Sequence, residues 1–267
     1  VIAQAIYEHY LPVAAGGQLP ETDEGAIISI ADKMDTIAGF FGINLIPTGT
    51  ADPFALRRQA LGIINIILNK AYSLNLNDLI ERSVAILGTT VQRDPEETKA
   101  NILDFFRGRF ENQLVSQGHP YDVVNAVLAL GMADIVQSFR KIEAMEGFKT
   151  HPDFEPLAIA FKRVVNILKD FNGGSVDASL FDSRAEADLY DSFTKIRERA
   201  NGCIDEGRYS DALSEMATLR KPVDAFFEEV MVMAEDEKIR FNRLSLLKEI
   251  SDLFYRIADF SRIVTEG

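Results

Sequence analysis

A basic cluster near the end of the chain has residue types suited to binding chemistry. Arg240, Asn242 and Arg243 occupy the first two turns of a predicted helix and follow an acidic turn. The helix dipole favours acids at that end, so helix formation alone does not explain the arginines. Arg240 and Arg243 share one face, and arginine forks suit phosphates and base edges. Pairing with acids among residues 229–236 explains the two arginines equally well.

A polar stripe on an earlier predicted helix is the second candidate. The stripe repeats every three to four residues along one face: Arg163, Asn166 and then Lys169 or Asp170. The opposite face is apolar, as in an amphipathic helix packed on a core. From spacing alone, a solvated helix face is the simpler interpretation of this stripe.

A glycine-bearing loop at residues 47–51 runs into a predicted helix that opens with Asp52 as its cap and Pro53 at its first position. The N-terminus of a helix can bind an anion. The loop lacks the GK[ST] ending of a phosphate-binding loop, so a nucleotide pocket is not indicated. Arg57 and Arg58 lie one turn into the helix and are candidates to contact an RNA phosphate. Pairing with neighbouring acids explains them equally well.

Metal chemistry has little support. Asp32 and Asp35 are three residues apart and could share a cation from one helix face. The chain has no His-Asp pair to complete such a site, so solvated acids are the favoured interpretation. The single cysteine, Cys203, excludes an internal disulfide and fits a reducing cytoplasm. The three histidines are isolated and lack metal-ligand spacing: His9, His119 and His151.

Composition is typical of a globular protein, but charge is unevenly distributed. The 267 residues are 47% hydrophobic and 26% charged, with a net charge of -13. No apolar run is long enough for a membrane helix, and residues 1–12 contain neither a basic n-region nor a signal-peptide cleavage site. Residues 205–237 contain ten acids and three bases, whereas residues 238–262 contain six bases and three acids. Nucleic acid binding over the whole surface is therefore excluded, whereas binding at one local basic face is not.

Helix start and stop signals recur along the chain, and no period-2 strand pattern is present. The sequence therefore predicts an all-α protein of two helical domains, residues 1–150 and 151–267. Pro222 should kink or divide one helix. The predicted helices are 22–41, 52–71, 77–88, 94–117, 120–130, 134–145, 156–171, 183–205, one from 210, and 237–264. The first residues lack a Met and begin inside a helix, so we expect a fragment of a longer chain.

Several long segments together resemble the C-terminal part of the beta subunit of bacterial tetrameric glycyl-tRNA synthetases. Two runs are highly specific: DPFALRRQALG at residues 52–62 and FFEEVMVMAEDEKIRFNRLSLL at residues 226–247. Shorter runs agree with them in order: IYEHYLP (6–12), IADKMDT (30–36), KRVVNIL (162–168) and GRYSDAL (207–213). The resemblance extends over the whole chain.

The resemblance implies a division of labour that spacing did not show. Residues 1–150 would be the end of an HD-like helical domain, with Asp32 at that fold's last acidic position. Residues 151–267 would be an anticodon-binding helical domain of the arginyl-tRNA synthetase type. The partners implied are glycine tRNA and the alpha subunit, in an alpha2beta2 assembly without membrane or DNA. The alpha subunit would form glycyl-adenylate from glycine and ATP with Mg²⁺, and this fragment would hold no cofactor and no catalytic residue.

The resemblance turns the polar clusters into candidate tRNA contacts. Arg240 and Arg243 come first, then Arg163, Asn166 and Lys169, while the tRNA body would meet Arg57 and Arg58. Two alternatives from other classes stay open. One is an HD-type metal phosphohydrolase built on Asp32 and Asp35. The other is a structural module whose helices dock the alpha subunit or a second beta chain.

Overall fold

The computed structural model describes residues 1–169 and 171–265, and within that range the chain is helical. It forms twelve α-helices and three short 3-10 helices, and its only β pairing there is two isolated bridges. The predicted all-α fold class is confirmed. Asp170, the alternative to Lys169 in the polar stripe, lies outside the described residues. No helix in the described ranges is long and apolar enough to cross a membrane.

The chain divides into two compact units. The first comprises Val1–Gly118 and Gly131–Ser138, and the second comprises His119–Leu130 and Phe139–Gly267. The first contains α1 (Ile2–Glu8), α2 (Asp23–Gly42), α3 (Leu56–Lys70), α4 (Leu76–Leu87) and α5 (Pro95–Ser116). The second contains α6 (Tyr121–Leu128), α8 (Phe154–Ile167), α9 (Arg184–Asp205), α10 (Tyr209–Ala217), α11 (Arg220–Glu229) and α12 (Glu237–Tyr255). Residues of α7 (Ile135–Phe148) belong to both units, and the predicted boundary at residue 150 stays a prediction.

The first unit is organised around α2, which packs against α1, α3, α4 and α5. Thr22 begins α2 by accepting a hydrogen bond from the Gly25 amide at 3.1 Å, as expected for an N-cap. Apolar residues at helical spacing then face the centre, including Met34, Ile37 and Phe41. Each fully buried side chain of this size contributes about 1.5–3 kcal/mol, so the stripe fixes α2 in the core.

The second unit has an aromatic core. Phe161 of α8 lies 5.3 Å from Phe254 of α12 and 5.7 Å from Phe260, measured between ring centroids. Phe254 and Phe260 meet edge to face at 5.1 Å, a favoured geometry for aromatic pairs. On the other side, α9 packs against α10, α11 and α12. The core therefore holds α8 and α12, the two helices that carry most of the candidate residues.

Two predicted helix starts were wrong because polar side chains cap from a different position. Helix α3 begins at Leu56 rather than at residue 52, after Ala55 in the left-handed conformation. Asp52 nevertheless caps it, accepting from the Leu56 and Arg57 amides at 2.8 and 3.0 Å. Helix α4 is capped by Asn75 and not by the predicted Asn77.

Three predicted helices are shorter than expected. Helix α8 ends at Ile167, four residues before the predicted end. Pro222 divides the helix predicted to start at residue 210, as expected: α10 ends at Ala217 and α11 begins at Arg220. Proline has no amide hydrogen to donate to the carbonyl four residues earlier, so the break falls just before it. Helix α12 ends at Tyr255 rather than near residue 264, and the chain turns so that Phe260 enters the core.

Candidate nucleic-acid interface

The N-terminus of α12 is capped by an acid, which resolves the electrostatic conflict seen in the sequence. Asp236 accepts hydrogen bonds from the Lys238 and Ile239 amides at 2.8 and 3.1 Å. These amides lower the pKa of the Asp236 carboxyl below its usual value. Glu237 adds a second negative charge in the first turn. The helix dipole is therefore complemented, and the arginines one turn later are free for other contacts.

Arg243 points into the second unit rather than to solvent. Its side chain is 7% exposed and pairs with Glu186, which is 1% exposed. The Arg243 Nε donates to Glu186 Oε1 at 2.9 Å, and Nη2 donates to Oε2 at 3.2 Å. Nη1 donates to the Met231 carbonyl at 2.9 Å, and Nη2 also binds Asp182. With its donors occupied inside the fold, Arg243 contradicts the expectation that it faces RNA.

Glu186, the partner of the buried Arg243, also takes part in the start of α9. Glu186 is part of a capping box at the start of α9: its carboxylate accepts from the Ser183 amide at 3.0 Å, and Ser183 Oγ accepts from the Glu186 amide at 3.2 Å. Burial raises the pKa of the Glu186 carboxyl, but hydrogen bonds, that of Arg243 foremost, outweigh burial and bring the pKa to about 2. The Arg243 pair therefore ties α12 to the start of α9.

Asn242 also has a structural role. It is 1% exposed, accepts from the Asp177 amide at 2.7 Å and donates to the Asp177 carbonyl at 3.0 Å. The Asn242 side chain thus satisfies both the amide and the carbonyl of Asp177 and fixes the backbone there. Asn242 and Arg243 thus anchor the connection between α8 and α9 on α12.

Arg240 is the residue of the basic cluster that stays partly accessible. Its side chain is 34% exposed, with Nη1 donating to the Ala234 carbonyl at 3.2 Å and Nη2 lying 3.6 Å from Glu237. The pair with Glu237 is exposed and worth little, so it leaves the guanidinium available to a stronger anion. Arg240 remains a candidate RNA contact.

The polar stripe of α8 is on the surface. Arg163, Asn166 and Lys169 are all exposed, and the Arg163 guanidinium lies 4.1 Å above the Phe227 ring of α11. This stacking orients the arginine while leaving its edge donors free for an anion. The structure therefore leaves all three predicted residues accessible on the surface of the second unit.

Sequence reasoning missed Phe241. Its side chain is 48% exposed, although its neighbours Asn242, Arg243 and Leu244 are buried. Polar side chains identified the candidates in this cluster, and the apolar Phe241 was therefore passed over. Consecutive helical residues point about 100° apart, so burial of Asn242 and Arg243 directs residue 241 towards solvent.

The two candidates in the first unit differ from each other. Arg57 Nη2 donates to the Gly49 carbonyl at 2.7 Å, so it holds the turn that precedes α3. Arg58 is exposed and, with Asp32 and Lys33, lines a surface cavity of about 250 Å³. Burial lowers the pKa of Lys33, the nearby Asp32 opposes that shift, and Arg58 reinforces it. The cavity therefore carries mixed charge.

Asp32 and Asp35 are both exposed on α2. Among residues 1–169 and 171–265, no group of three or more potential ligands is close enough to hold a metal ion. Cys203 is buried without a disulfide partner in the same ranges. His119 lies 2.8 Å from Glu146, and His151 Nδ1 accepts from the Asp153 amide at 3.1 Å. His119 and His151 therefore contribute hydrogen bonds to local structure.

Comparison with known proteins finds two family matches along the chain. Residues 1–129 match the family described as glycyl-tRNA synthetase beta subunit, and residues 157–261 match the DALR anticodon binding domain. The glycine--tRNA ligase beta subunit of Syntrophus aciditrophicus is 61% identical over 266 residues, covering 100% of this chain and 39% of that protein. Those of Geobacter metallireducens and Syntrophotalea carbinolica are each 51% identical, covering 98% of this chain and 38% of theirs. The chain spans about two-fifths of the length of these relatives.

Proposed function

Residues 1–129 of the chain belong to the glycyl-tRNA synthetase beta-subunit family and residues 157–261 to the DALR anticodon-binding family, and from this we propose that the chain binds tRNA for a glycine–tRNA ligase. The DALR match carries the proposal, since it covers both helices with accessible candidate residues. The proposal assigns tRNA recognition to this chain and no chemical step.

The surface of the second unit supports the proposal. Arg163 and Asn166 supply donors from α8, Lys169 supplies an ammonium from the turn that follows it, and Arg240 supplies a guanidinium from α12. RNA loops expose phosphates and unstacked bases, which donors of this kind bind. In a chain of net charge -13, RNA is confined to those parts of the surface where such cations are accessible. Arg58 is a further candidate, for the tRNA body.

In this proposal, glycine activation and its catalytic residues belong to the alpha subunit and not to this chain. The alpha subunit activates glycine with ATP and Mg²⁺, and it assembles with the beta subunit as alpha2beta2. Neither a membrane nor DNA takes part, and the assembly works in the cytoplasm. Mixing the complete beta subunit with the alpha subunit should restore glycine charging, and the chain alone should leave glycine uncharged.

A salt-series titration tests tRNA binding by this chain. Glycine tRNA should bind more tightly than a non-cognate tRNA, and log K should fall linearly with log salt. Arg163→Ala/Lys169→Ala should weaken binding and reduce the slope by about 1 for each phosphate that no longer meets a cation. Arg184→Ala is the matched control, because Arg184 is 91% exposed in the same unit but belongs to another helix. Equal, weak binding of both tRNAs that the double variant leaves unchanged would refute the proposal.

A further inference from the structure

Phe241 occupies an outward face of α12 that the packing of the second unit leaves open. The accessible positions along that face are Glu237 and Lys238, four and three residues before the ring, and Lys248, seven residues after it. Ser245, one turn on, is buried and bonds the Phe241 carbonyl at 2.9 Å. The exposed surroundings of the ring on α12 are therefore polar and contain two cations.

A second aromatic ring supports Phe241. Phe171, which follows α8, meets it edge to face with ring centroids 5.2 Å apart and an interplanar angle of 69°. Lys169 lies two residues before Phe171, so the two Cα atoms are within about 7 Å of each other. The aromatic pair thus brings the C-terminal end of the α8 stripe to the start of α12.

The backbone around the ring is held in place. Gly173 has a φ of +96°, which turns the chain so that Gly174 passes over Phe241. A Cβ atom on Gly174 would overlap two carbons of the Phe241 ring, so no larger residue fits there. The Asn242 bonds to Asp177 fix the same segment three residues later. The ring is consequently preorganised rather than mobile, and binding to it costs little side-chain entropy.

We propose that Phe241 is a stacking platform for an unpaired base of an RNA loop, with Lys169, Lys238 and Lys248 positioned for the adjoining phosphates. This inference rests on the proposed function and identifies one contact that holds an unpaired base of the loop. Every base has a π-face, and an aromatic ring beside a basic groove is the usual way in which proteins hold single-stranded RNA.

The charges around Phe241 favour RNA over a partner helix. A docking helix needs a continuous apolar stripe at i, i+3, i+4 and i+7. Here the corresponding accessible positions are all charged: Glu237, Lys238 and Lys248. Glu237 lies 3.6 Å from Arg240, and Lys248 forms a salt bridge with Asp252 that an RNA phosphate can replace. A single exposed ring between lysines fits one base and its phosphates.

The absence of tryptophan from the chain provides a direct test. Phe241→Trp introduces a unique fluorophore, because the sequence contains no Trp. Titration with the anticodon stem-loop of glycine tRNA should quench its fluorescence, since stacking on a base quenches indole emission. Tyr121→Trp is the control: Tyr121 is 59% exposed on α6 of the same unit, and its emission should not change.

Truncation and salt dependence separate stacking from charge. Phe241→Ala should weaken stem-loop binding about 10-fold or more, the usual loss for one stacked base, with the salt slope unchanged. Phe241→Tyr should bind as the parent chain does, and Lys169→Ala/Lys248→Ala should reduce the slope instead. Matching melting temperatures would establish that each variant is folded.

The outcomes distinguish this inference from the proposed function. If the parent chain binds the stem-loop but Phe241→Trp is not quenched and Phe241→Ala binds equally well, the stacking platform is refuted and the proposed function stands. If the parent chain binds no tRNA, both are refuted. If Phe241→Ala abolishes assembly with the alpha subunit and leaves RNA binding intact, the ring is a protein contact and the inference is overturned.

Discussion

Replacing Arg243 tests most directly whether this arginine stabilises the fold instead of contacting RNA. In Arg243→Met, the Glu186 carboxylate loses its buried cation and two hydrogen bonds, at 2.9 and 3.2 Å, while remaining almost inaccessible to solvent. Removing one partner of a buried ion pair costs about 3–5 kcal/mol. For a domain of this size that loss lowers the melting temperature by roughly 10 °C or more.

A double-mutant cycle isolates the pair itself. Glu186→Gln keeps an acceptor for the Ser183 amide but removes the charge, so Arg243→Met/Glu186→Gln should lose less stability than the sum of the single variants. The expected coupling is about 1–3 kcal/mol, measured by urea denaturation at pH 7. The salt slope of tRNA binding should stay the same in Arg243→Met. An Arg243→Met chain that melts like the parent and loses a unit of salt slope would show that this arginine contacts RNA after all.

The carboxyls of Glu8 and Glu186 both have a pKa of about 2 in the folded chain, below the usual 4.5. Each carboxylate therefore stabilises the fold fully above pH 4.5 and loses that effect as the pH falls towards 2. The urea concentration at the unfolding midpoint, measured from pH 6 to pH 2.5, should fall accordingly. Gly25→Ala should lower the melting temperature, because its Cβ would overlap Glu8 Oε2 and overpacking costs about 1–3 kcal/mol. Gly39→Ala in the same helix has open space around its Cβ and should instead stabilise by up to about 1 kcal/mol. Lys33→Met removes hydrogen bonds to the His9 carbonyl and Ser29 Oγ and should destabilise the chain by about 1–3 kcal/mol in the same melting assay.

Local chemistry was sufficient to predict the fold class and many helix starts. Thr22, Asp94 and Ser183 cap helices where the sequence placed them, because a cap depends on residues three positions away. Pro222 divided its helix for an equally local reason. The predicted end of α12 was wrong because Phe260 leaves the helical path to join a core formed with α8, and no local signal marks that turn.

The directions of the candidate side chains were harder to predict. Arg243 and Glu186 are 57 residues apart, and Asn242 and Asp177 are 65 apart, so their pairing depends on how α9 and α12 pack. The sequence offered Asp236 and Glu229 as partners for the arginines, whereas Asp236 caps the helix. Spacing predicts which residues share a face but not which face is buried when both contain polar residues.

Because Arg243 is buried within the fold, other contacts must supply the affinity for RNA. Arg243 uses its guanidinium group within the fold, which leaves five candidate cations on the second unit: Arg163, Lys169, Lys238, Arg240 and Lys248. Each phosphate contact contributes a slope of about -0.7 for single-stranded RNA, so these five cations give at most about -3.5. The chain's net charge of -13 further opposes the approach of a polyanion. Contacts that salt does not weaken must therefore carry much of the binding, and the Phe241 ring is a contact of that kind.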